Sequence, residues 1–341
     1  MTSPTTARDT TVTADFDPAT QDMAAGMEEA VSMVTGEVLS ELADTDDRIC
    51  VLAADLARST RVYSFSDRHP DRYYNFGIAE RGMIGAAAGM ASVGMRPYVA
   101  GFACFLAILA VENLKVDVCY ADMPVRVLGT YSGVAAGPYG TTHHATEDIG
   151  VLRSLPNMRI LAPADGPSLA TALRATVDVD HPIYFRLSAG KDPDVYTGER
   201  ARLLDDWHVG GSARLRDGDA LTILATGTRV AAALDAAEQL AAEDGVEAAV
   251  VDMYSLKPLD SDAVLAAART GAPVVCVEEA NWVGGLGSTV ASVIADHELA
   301  VRLRRLSLPD EFSILGPAAD LYAHYGIDAS GIVATVREAL S

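Results

Sequence analysis

Short apolar runs alternate, along most of this chain, with stretches in which apolar residues recur every three or four positions. The first pattern predicts buried β-strands, and the second predicts amphipathic helices. A helical pattern at 24–44 is followed by strand patterns at 49–55, 124–130 and 182–188, with further helical patterns between them. Such alternation predicts a mostly parallel sheet with helices on both faces.

A second unit of the same kind follows a linker rich in Gly, Pro and charged residues. It begins with a strand pattern at 220–227 and a helical pattern at 229–243, and it ends with a helix at 330–341. The sequence therefore predicts an α/β fold of two consecutive doubly wound domains, each a mostly parallel sheet flanked by helices. The predicted boundaries are a disordered tail at 1–21, a first domain at 22–190, a linker at 191–207 and a second domain at 208–341.

One apolar stretch, residues 82–111, is nearly free of charge and is long enough to raise the question of a membrane span. Arg96 and Pro97 interrupt this stretch, and the ten apolar residues at 102–111 that follow are too few to cross a bilayer. We therefore predict a buried helix at 103–120.

Composition and charge narrow the class of protein further. The chain has 341 residues, of which half are apolar, so it can bury the cores of about two domains. It carries 26 Lys and Arg against 47 Asp and Glu, a net charge of −21, which argues against nucleic acid or an anionic membrane surface as a partner. The four cysteines lie in apolar surroundings and none has C-x-x-C spacing. We expect reduced core thiols and, since the first twenty residues contain no apolar signal core, a cytoplasmic protein.

Acidic and aromatic residues follow several predicted strands, at the end of the strand where open α/β sheets bind ligands. Glu80 comes three residues after Gly77, in the first turn of a Gly- and Ala-rich helix, where the helix dipole favours a carboxylate. Phe102 and Phe105 are three residues apart at the start of the predicted buried helix. They are expected to share one helix face, which either stacks a flat ring or packs in the core.

The loop at 129–144 is rich in glycine and carries Tyr131, Tyr139 and two adjacent histidines, His143 and His144. Hydroxyl binding and proton transfer are the functions that this composition favours. A metal site is disfavoured, because no nearby cysteine or second histidine pair completes a set of ligands.

Two further turns precede predicted helices. Asp165 directly precedes a predicted helix, and we interpret it as an N-cap that accepts hydrogen bonds from free backbone amides. The glycine-rich segment at 284–288 is interpreted as a tight strand-to-helix turn, with anion binding at the helix N-terminus as the alternative.

Together these segments resemble one known family. The chain resembles the pyrimidine-binding domain of transketolases in the strings NFGIAERGM, PYVAGFACF and THHATEDIGVLRSLPN, the last followed by PAD. Its second unit resembles the transketolase C-terminal domain in LTILATG, VVDMYSLKPLD and VEEANWVGGLGS. The resemblance covers about 25–340, and it implies a transferase that uses thiamine diphosphate to move a two-carbon ketol unit from a ketose donor to an acceptor.

The resemblance also implies roles for single residues. Glu80 matches the catalytic glutamate that hydrogen-bonds the aminopyrimidine ring of the cofactor and so promotes proton transfer there. Phe102 and Phe105 match the aromatic pocket that holds this ring. His143 matches a catalytic histidine that contacts a substrate hydroxyl, and Asp55 matches a loop residue that reaches toward the cofactor.

The predicted substrate side of the site departs from the family in three places. Ser59 and His143 match, but Tyr131 stands where a second active-site histidine is usual, and Tyr139 stands where an acid often reads hydroxyl stereochemistry. Ala189 stands where an arginine commonly binds the substrate phosphate. We expect that at least one of the two substrates is unphosphorylated or presented on a carrier. The alternative is that another cation takes over this role, either from a partner subunit or from Arg58, Arg61 or Lys191.

One family motif is absent. Thiamine diphosphate enzymes bind Mg²⁺ and the diphosphate with a GDG…N motif in a separate domain, and this sequence holds no GDG followed by Asn at a suitable spacing. The resemblance therefore implies the C-terminal subunit of a split transketolase. Its partner is expected to be an N-terminal subunit that carries the diphosphate-binding domain and holds Mg²⁺, in a heterotetramer of two such pairs that is active only when assembled.

Two alternatives remain open at the level of sequence. A subunit like those of 2-oxo acid dehydrogenases would pass a two-carbon unit to a lipoyl or carrier-protein thiol. A regulatory or scaffold subunit would bind the partner without catalysis, but Glu80 and the two phenylalanines argue against this interpretation.

Overall fold

The structure, a computed structural model, describes residues 34–188 and 192–341. The predicted tail at 1–21 and residues 189–191 at the start of the predicted linker lie outside the described residues. The strands are β1 (Ile49–Ala53), β2 (Tyr73–Asn75), β3 (Arg96–Phe102), β4 (Arg126–Thr130), β5 (Arg159–Leu161), β6 (Ile183–Arg186), β7 (Ala213–Arg216), β8 (Leu221–Ala225), β9 (Ala248–Asp252), β10 (Ser255–Lys257), β11 (Val274–Asn281) and β12 (Leu303–Leu308).

Helices cover both sheets. They are α1 (Thr35–Ala43), α2 (Tyr63–Arg68), α3 (Glu80–Ser92), α4 (Val111–Asn113), α5 (Asp148–Arg153), α6 (Gly166–Ala175), α7 (Arg229–Asp244), α8 (Ser261–Arg269), α9 (Leu286–Asp296), α10 (Ala318–His324) and α11 (Ala329–Leu340). The predicted α/β class is confirmed, and the last predicted helix differs from α11 by one residue at each end.

Two mostly parallel sheets form the centre of the molecule. The first has the order β10-β5-β6-β4-β3-β1-β2 and the second the order β12-β11-β8-β9-β7. Only β10 on β5 and β7 on β9 pair antiparallel among the described strands. Because β10 follows β9 in the second unit but pairs with the first sheet, the two units share a hydrogen-bonded edge that the hydrophobic pattern did not predict.

The predicted helix at 103–120 is wrong in detail. Phe102 is the last residue of β3, and the following segment winds mainly as π-helix, over Phe105–Leu109 and Leu114–Cys119, with α4 between them. A π-helix has more residues per turn than an α-helix, but a segment that is apolar all round fits either winding. The hydrophobic pattern therefore could not distinguish the two. Among the described residues, no helix is long and apolar enough to cross a membrane.

All four cysteines are buried free thiols, as predicted from their apolar surroundings. Burial raises the pKa of the Cys50, Cys104 and Cys119 thiols to about 12. Since the thiolate is the reactive form, these side chains act as small apolar core residues.

Candidate active site

The carboxyl ends of β2, β1, β3 and β4 lie side by side at one edge of the first sheet, because these four neighbouring strands run parallel. Asp55 follows β1, and Glu80 lies five residues beyond β2. Phe102 ends β3, and Tyr131 directly follows β4. Residues that are far apart in sequence are thereby brought to the edge where open α/β sheets bind ligands.

Glu80 is the first residue of α3, as the sequence predicted for the start of this helix. Its side chain is buried, with 5% of the residue exposed. Within the described residues no donor lies within hydrogen-bond distance of its carboxylate. Its carboxylate oxygens are not fully buried, so they are open to a ligand that supplies a donor.

Five rings form an aromatic cluster at the same edge: Phe102, Phe105, Tyr131, Tyr139 and His143. Phe102 stacks on Phe105 at 6.0 Å between ring centroids and contacts the Tyr131 ring at 4.4 Å. His143 lies edge-on to Phe105 at 5.5 Å and stacks on Tyr139 at 5.1 Å. The structure thus brings together the two predicted cofactor-pocket phenylalanines and three predicted substrate residues.

The two adjacent histidines differ in their contacts. His143 is half-buried, and its Nδ1 bonds the Thr142 hydroxyl at 2.9 Å, which leaves Nε2 without a partner among the described residues. His144 is buried, and its ring nitrogens contact the Ser313 hydroxyl and the Gly137 carbonyl oxygen. Burial lowers the pKa of His144. His143 is therefore the histidine that can exchange a proton with a ligand, and His144 anchors the loop.

Asn75 joins the loop after β1 to the turn before Glu80, a role that the sequence analysis missed. Its Oδ1 accepts hydrogen bonds from the backbone amides of Asp55 and Gly77, both at 3.0 Å. Its Nδ2 donates to the Asp55 carboxylate at 3.2 Å. Asp55 has a left-handed φ of 59°. Asn75 thus fixes the backbone at Asp55 against the turn that leads into α3.

The remaining predicted substrate residues are Ser59 and Ala189. Ser59 is half-buried in the loop after β1, whereas Tyr139, within the aromatic cluster, is 44% exposed. Ala189 lies outside the described residues. Arg186 is not available to a substrate, because it pairs with buried Asp148 at 2.9 Å and its Nη2 donates to the Glu279 carbonyl oxygen at 2.7 Å.

The second unit supports the loop that carries Tyr131 and His143. The Glu279 carboxylate, at the end of β11, accepts hydrogen bonds from the Val134 amide at 2.8 Å and from the Tyr322 hydroxyl at 3.1 Å. A Cβ on Gly133 would lie 2.5 Å from the Glu279 side chain. This close approach explains why a glycine stands there.

The two predicted turns have structural roles. Asp165 caps α6, since its Oδ1 accepts from the Ser168 amide at 2.8 Å. At the glycine-rich turn, the amides of Leu286 and Gly287 donate to the carboxylate of Glu278 at 2.6 and 2.9 Å. These amides at the start of α9 are therefore occupied by a side chain of the same chain, and the alternative of a bound anion is not needed to satisfy them.

No group of three or more His, Cys, Asp or Glu side chains in the described parts of the chain is arranged to hold a metal ion. The aromatic cluster and Glu80 therefore offer a ring pocket, one carboxylate and one histidine. Such a set can bind a flat heterocycle, accept a hydrogen bond from it and exchange protons with hydroxyl groups.

Two family models match the chain. The model of the transketolase pyrimidine binding domain matches residues 28–192, and that of the transketolase C-terminal domain matches residues 210–332. Glu80, the aromatic cluster and the loop after β1 all fall within the first match, and Glu279 falls within the second.

Individual relatives agree with the family models. One of the subunits of the apulose-4-phosphate transketolase of Phocaeicola vulgatus is 36% identical over 302 residues, which cover 89% of this chain and 95% of that protein. The 1-deoxy-D-xylulose-5-phosphate synthase of Syntrophotalea carbinolica is 40% identical over 304 residues, but these are only 47% of its length. A solved structure described as a split gene transketolase, inactive beta4 tetramer, is 35% identical and superposes with a TM-score of 0.81 over 92% of this chain and 98% of that one.

Proposed function

Because the chain belongs to the transketolase family, as the C-terminal subunit of a split, thiamine diphosphate-dependent enzyme, we propose that it acts together with a separate N-terminal subunit. That subunit holds Mg²⁺ and the diphosphate, and two such pairs form a heterotetramer. The assembled enzyme transfers a two-carbon ketol unit from a ketose donor to an acceptor. The relatives do not favour the alternative of a 2-oxo acid dehydrogenase-like subunit.

The residues at the sheet edge fit the aminopyrimidine part of the cofactor. Thiamine diphosphate supplies the electron-accepting centre that this reaction needs. Phe102 and Phe105 offer parallel rings at 6.0 Å, against which a flat heterocycle can pack. The Glu80 carboxylate, accessible to a ligand and without a donor among the described residues, accepts the hydrogen bond of a ring nitrogen. This unsatisfied carboxylate is the observation that carries the proposal.

On the substrate side, His143 directs its free Nε2 to a sugar hydroxyl, where it accepts or returns a proton. Tyr131 and Tyr139 flank that position and help to exclude water from it. Asp55, held by Asn75, lies in the adjacent loop together with Ser59.

The test is a comparison of cofactor binding by the isolated chain and by its complex with the N-terminal subunit. Calorimetry with thiamine diphosphate and Mg²⁺ should give negligible binding to the isolated chain, because the diphosphate and Mg²⁺ contacts belong to the other subunit. The complex should bind the cofactor and transfer ketol units in a screen of ketose donors. Tight binding by this chain alone would overturn the division of the site between two subunits.

A further inference from the structure

A cavity of about 430 Å³ lies in the second unit, and its lining includes Thr228 and Arg229, which closely follow β8. The chain passes from β8 through α7 to β9 on one side, and it later enters β11 on the other side of β8. The order of the strands therefore reverses at β8, and open α/β sheets bind ligands outside the strand ends at such a point. The lining contains neither Glu80 nor any ring of the aromatic cluster, so this cavity is separate from the candidate active site.

Arg229, the first residue of α7, places a buried positive charge at this cavity. Only 7% of the residue is exposed, and its guanidinium group lies over the Tyr322 ring at 3.6 Å from the centroid. Its nitrogens contact the Thr228 hydroxyl at 3.2 and 3.4 Å and the Ile327 carbonyl oxygen at 3.5 Å. These are long contacts with neutral acceptors, and within residues 34–188 and 192–341 the group forms no ion pair with a carboxylate. A buried guanidinium without a paired carboxylate favours a ligand that supplies an anionic group.

Three carboxyl side chains line the same cavity: Asp192, Asp235 and Asp328. Asp328 uses its Oδ1 to accept a hydrogen bond from the Gly331 amide at 2.9 Å, where it caps α11. With three carboxylates against one guanidinium, a ligand that carried only negative charge would be repelled from this cavity. A ligand that also carries an ammonium group is attracted by the carboxylates, so the charges of the lining favour a zwitterion.

The rest of the lining consists mainly of small apolar side chains. They come from three helices and are Ala231 and Ala232 on α7, Ala318 and Ala319 on α10, and Ala329 on α11. On α7, Asp235 lies three and four residues beyond these two alanines and therefore on the same helix face. Because alanine side chains end at Cβ, they leave room between the helices for an apolar group, which would be removed from water there.

We propose that this cavity binds a free α-amino acid with a branched apolar side chain. The carboxylate of the amino acid pairs with Arg229, and its ammonium group lies against Asp235 and Asp328. Its side chain packs on the alanines of α7 and α10. This inference goes beyond the proposed function, because the cavity shares no residue with the site of ketol transfer.

Two residues of the cavity also hold the loop that follows β4. The Thr228 hydroxyl donates to the Glu279 carboxylate at 3.3 Å, and the Tyr322 hydroxyl donates to it at 3.1 Å. The same carboxylate accepts from the Val134 amide at 2.8 Å. A bound amino acid that fixes Thr228 and Tyr322 should therefore stabilise the contact between Glu279 and Val134, and with it the loop that carries His143.

The binding test is calorimetry of the full chain, alone and in complex with the N-terminal subunit, with L-leucine as the probe. Two analogues of similar size each lack one charged group: 4-methylpentanoate lacks the ammonium group, and 3-methylbutylamine lacks the carboxylate. L-leucine should bind at least about 10-fold more tightly than either analogue, because each analogue loses one charge-assisted contact. Absence of L-leucine binding, or equal binding of all three compounds, would overturn the proposal.

Substitutions assign the two charged groups to their partners. Arg229→Met keeps an unbranched stem beside Tyr322 but removes the charge. It should weaken L-leucine and 4-methylpentanoate by about 10- to 100-fold and change 3-methylbutylamine by less than about threefold. Asp235→Asn should instead weaken L-leucine and 3-methylbutylamine. The matched control is Arg269→Met, which makes the same change at an exposed position in α8, and an equal effect of the two arginine variants contradicts the site.

A second pair of variants leaves the buried charge in place, in case Arg229→Met does not fold. Ala319→Phe adds a ring to the wall of the cavity from an exposed position in α10 and should abolish L-leucine binding. Ala323→Phe adds the same ring at an exposed position of the same helix outside the lining, and it should keep wild-type affinity. Wild-type affinity in Ala319→Phe would show that L-leucine binds elsewhere.

Hydrogen exchange of the Val134 amide, followed by NMR, tests the connection to the loop after β4. Saturating L-leucine should slow this exchange by at least about threefold, and it should not do so in Ala319→Phe. Unchanged exchange would overturn the connection to the loop. None of these measurements needs ketol transfer, so an inactive complex that binds L-leucine would contradict the proposed function and support this site.

Discussion

Glu80 shows how a single carboxylate is prepared for a ligand. It is buried at the first position of α3, and no donor among the described residues satisfies it. We expect Glu80→Gln to reduce turnover of the assembled enzyme by about 10²- to 10⁴-fold, the usual contribution of one acid–base group. The amide has the same shape but cannot act as a proton acceptor for the cofactor ring.

Steady-state rates at saturating cofactor, together with size-exclusion chromatography, check this expectation. Assembly with the N-terminal subunit should be unchanged. The matched control is Glu112→Gln, which makes the same chemical change at an exposed position in α4 and should leave turnover near the wild-type value. Normal turnover of Glu80→Gln would show that the assigned glutamate is wrong.

The contact between Asn75 and Asp55 can be tested by exchanging the two side chains. Asn75→Asp keeps the acceptor for the amides of Asp55 and Gly77 but places two carboxylates against each other. We expect it to reduce kcat/KM by about tenfold, because like charges in contact push the two loops apart. The double variant Asn75→Asp with Asp55→Asn restores a donor opposite an acceptor and should recover part of the loss. If Asp55 contacts the cofactor directly, the double variant will instead be no better than Asn75→Asp.

Asp252, the last residue of β9, carries a buried carboxyl group that makes the stability of the fold depend on pH. Its carboxylate accepts from the Tyr196 hydroxyl at 2.7 Å, and burial raises its pKa to about 8 despite that bond. In the unfolded chain its pKa is about 3.9. Between about pH 4 and pH 8 the folded state therefore holds a proton that the unfolded state has lost, so this group makes stability fall as pH rises through that window.

We expect Asp252→Asn to flatten this dependence, since the amide resembles the protonated acid and does not titrate. The fall in Tm between about pH 5 and pH 8 should be smaller in Asp252→Asn than in the wild type. Exposed Asp205→Asn serves as the control and should keep the wild-type fall. An identical fall in all three proteins would mean that Asp252 is ionised in the folded state throughout this range.

Across the whole molecule, the second unit holds the loop that follows β4 in the first unit. Glu279 bonds the Val134 amide and the Tyr322 hydroxyl, and Gly133 has a φ of 60° where a Cβ would lie 2.5 Å from Glu279. We expect Gly133→Ala to lower stability by about 3 kcal/mol. The added Cβ would clash with the Glu279 side chain, and an alanine would also be strained at this left-handed φ. It should also reduce activity of the complex, since the same loop carries His143.

Gly198→Ala is the matched control for backbone strain alone. Gly198 has a φ of 56°, and a Cβ there would meet no atom within 4 Å. This variant should lose about 1–2 kcal/mol and keep full activity. Urea unfolding and steady-state rates measure both effects, and equal losses in the two variants would contradict a role for the contact between Gly133 and Glu279.

Much of the site could be predicted because its residues lie within a few positions of the ends of predicted strands. Glu80 after a short strand and the loop after β4 could each be placed from sequence, and parallel pairing puts these ends at one edge. Phe102 was expected at the start of a helix and instead ends β3. Asn75 could not be recognised, because its role depends on two amides in separate segments.

The alternation of strands and helices followed from the amino-acid sequence, because the period of apolar residues records which face each element buries. The amino-acid sequence also indicated the family, because several short strings of residues occur in the same order as in transketolases. Three features needed the folded molecule: β10 joins the first sheet, Glu278 occupies the amides of α9, and His144 rather than His143 anchors the loop after β4. Each of these depends on contacts between segments distant in sequence, where several partners satisfy the same local pattern and packing selects one of them.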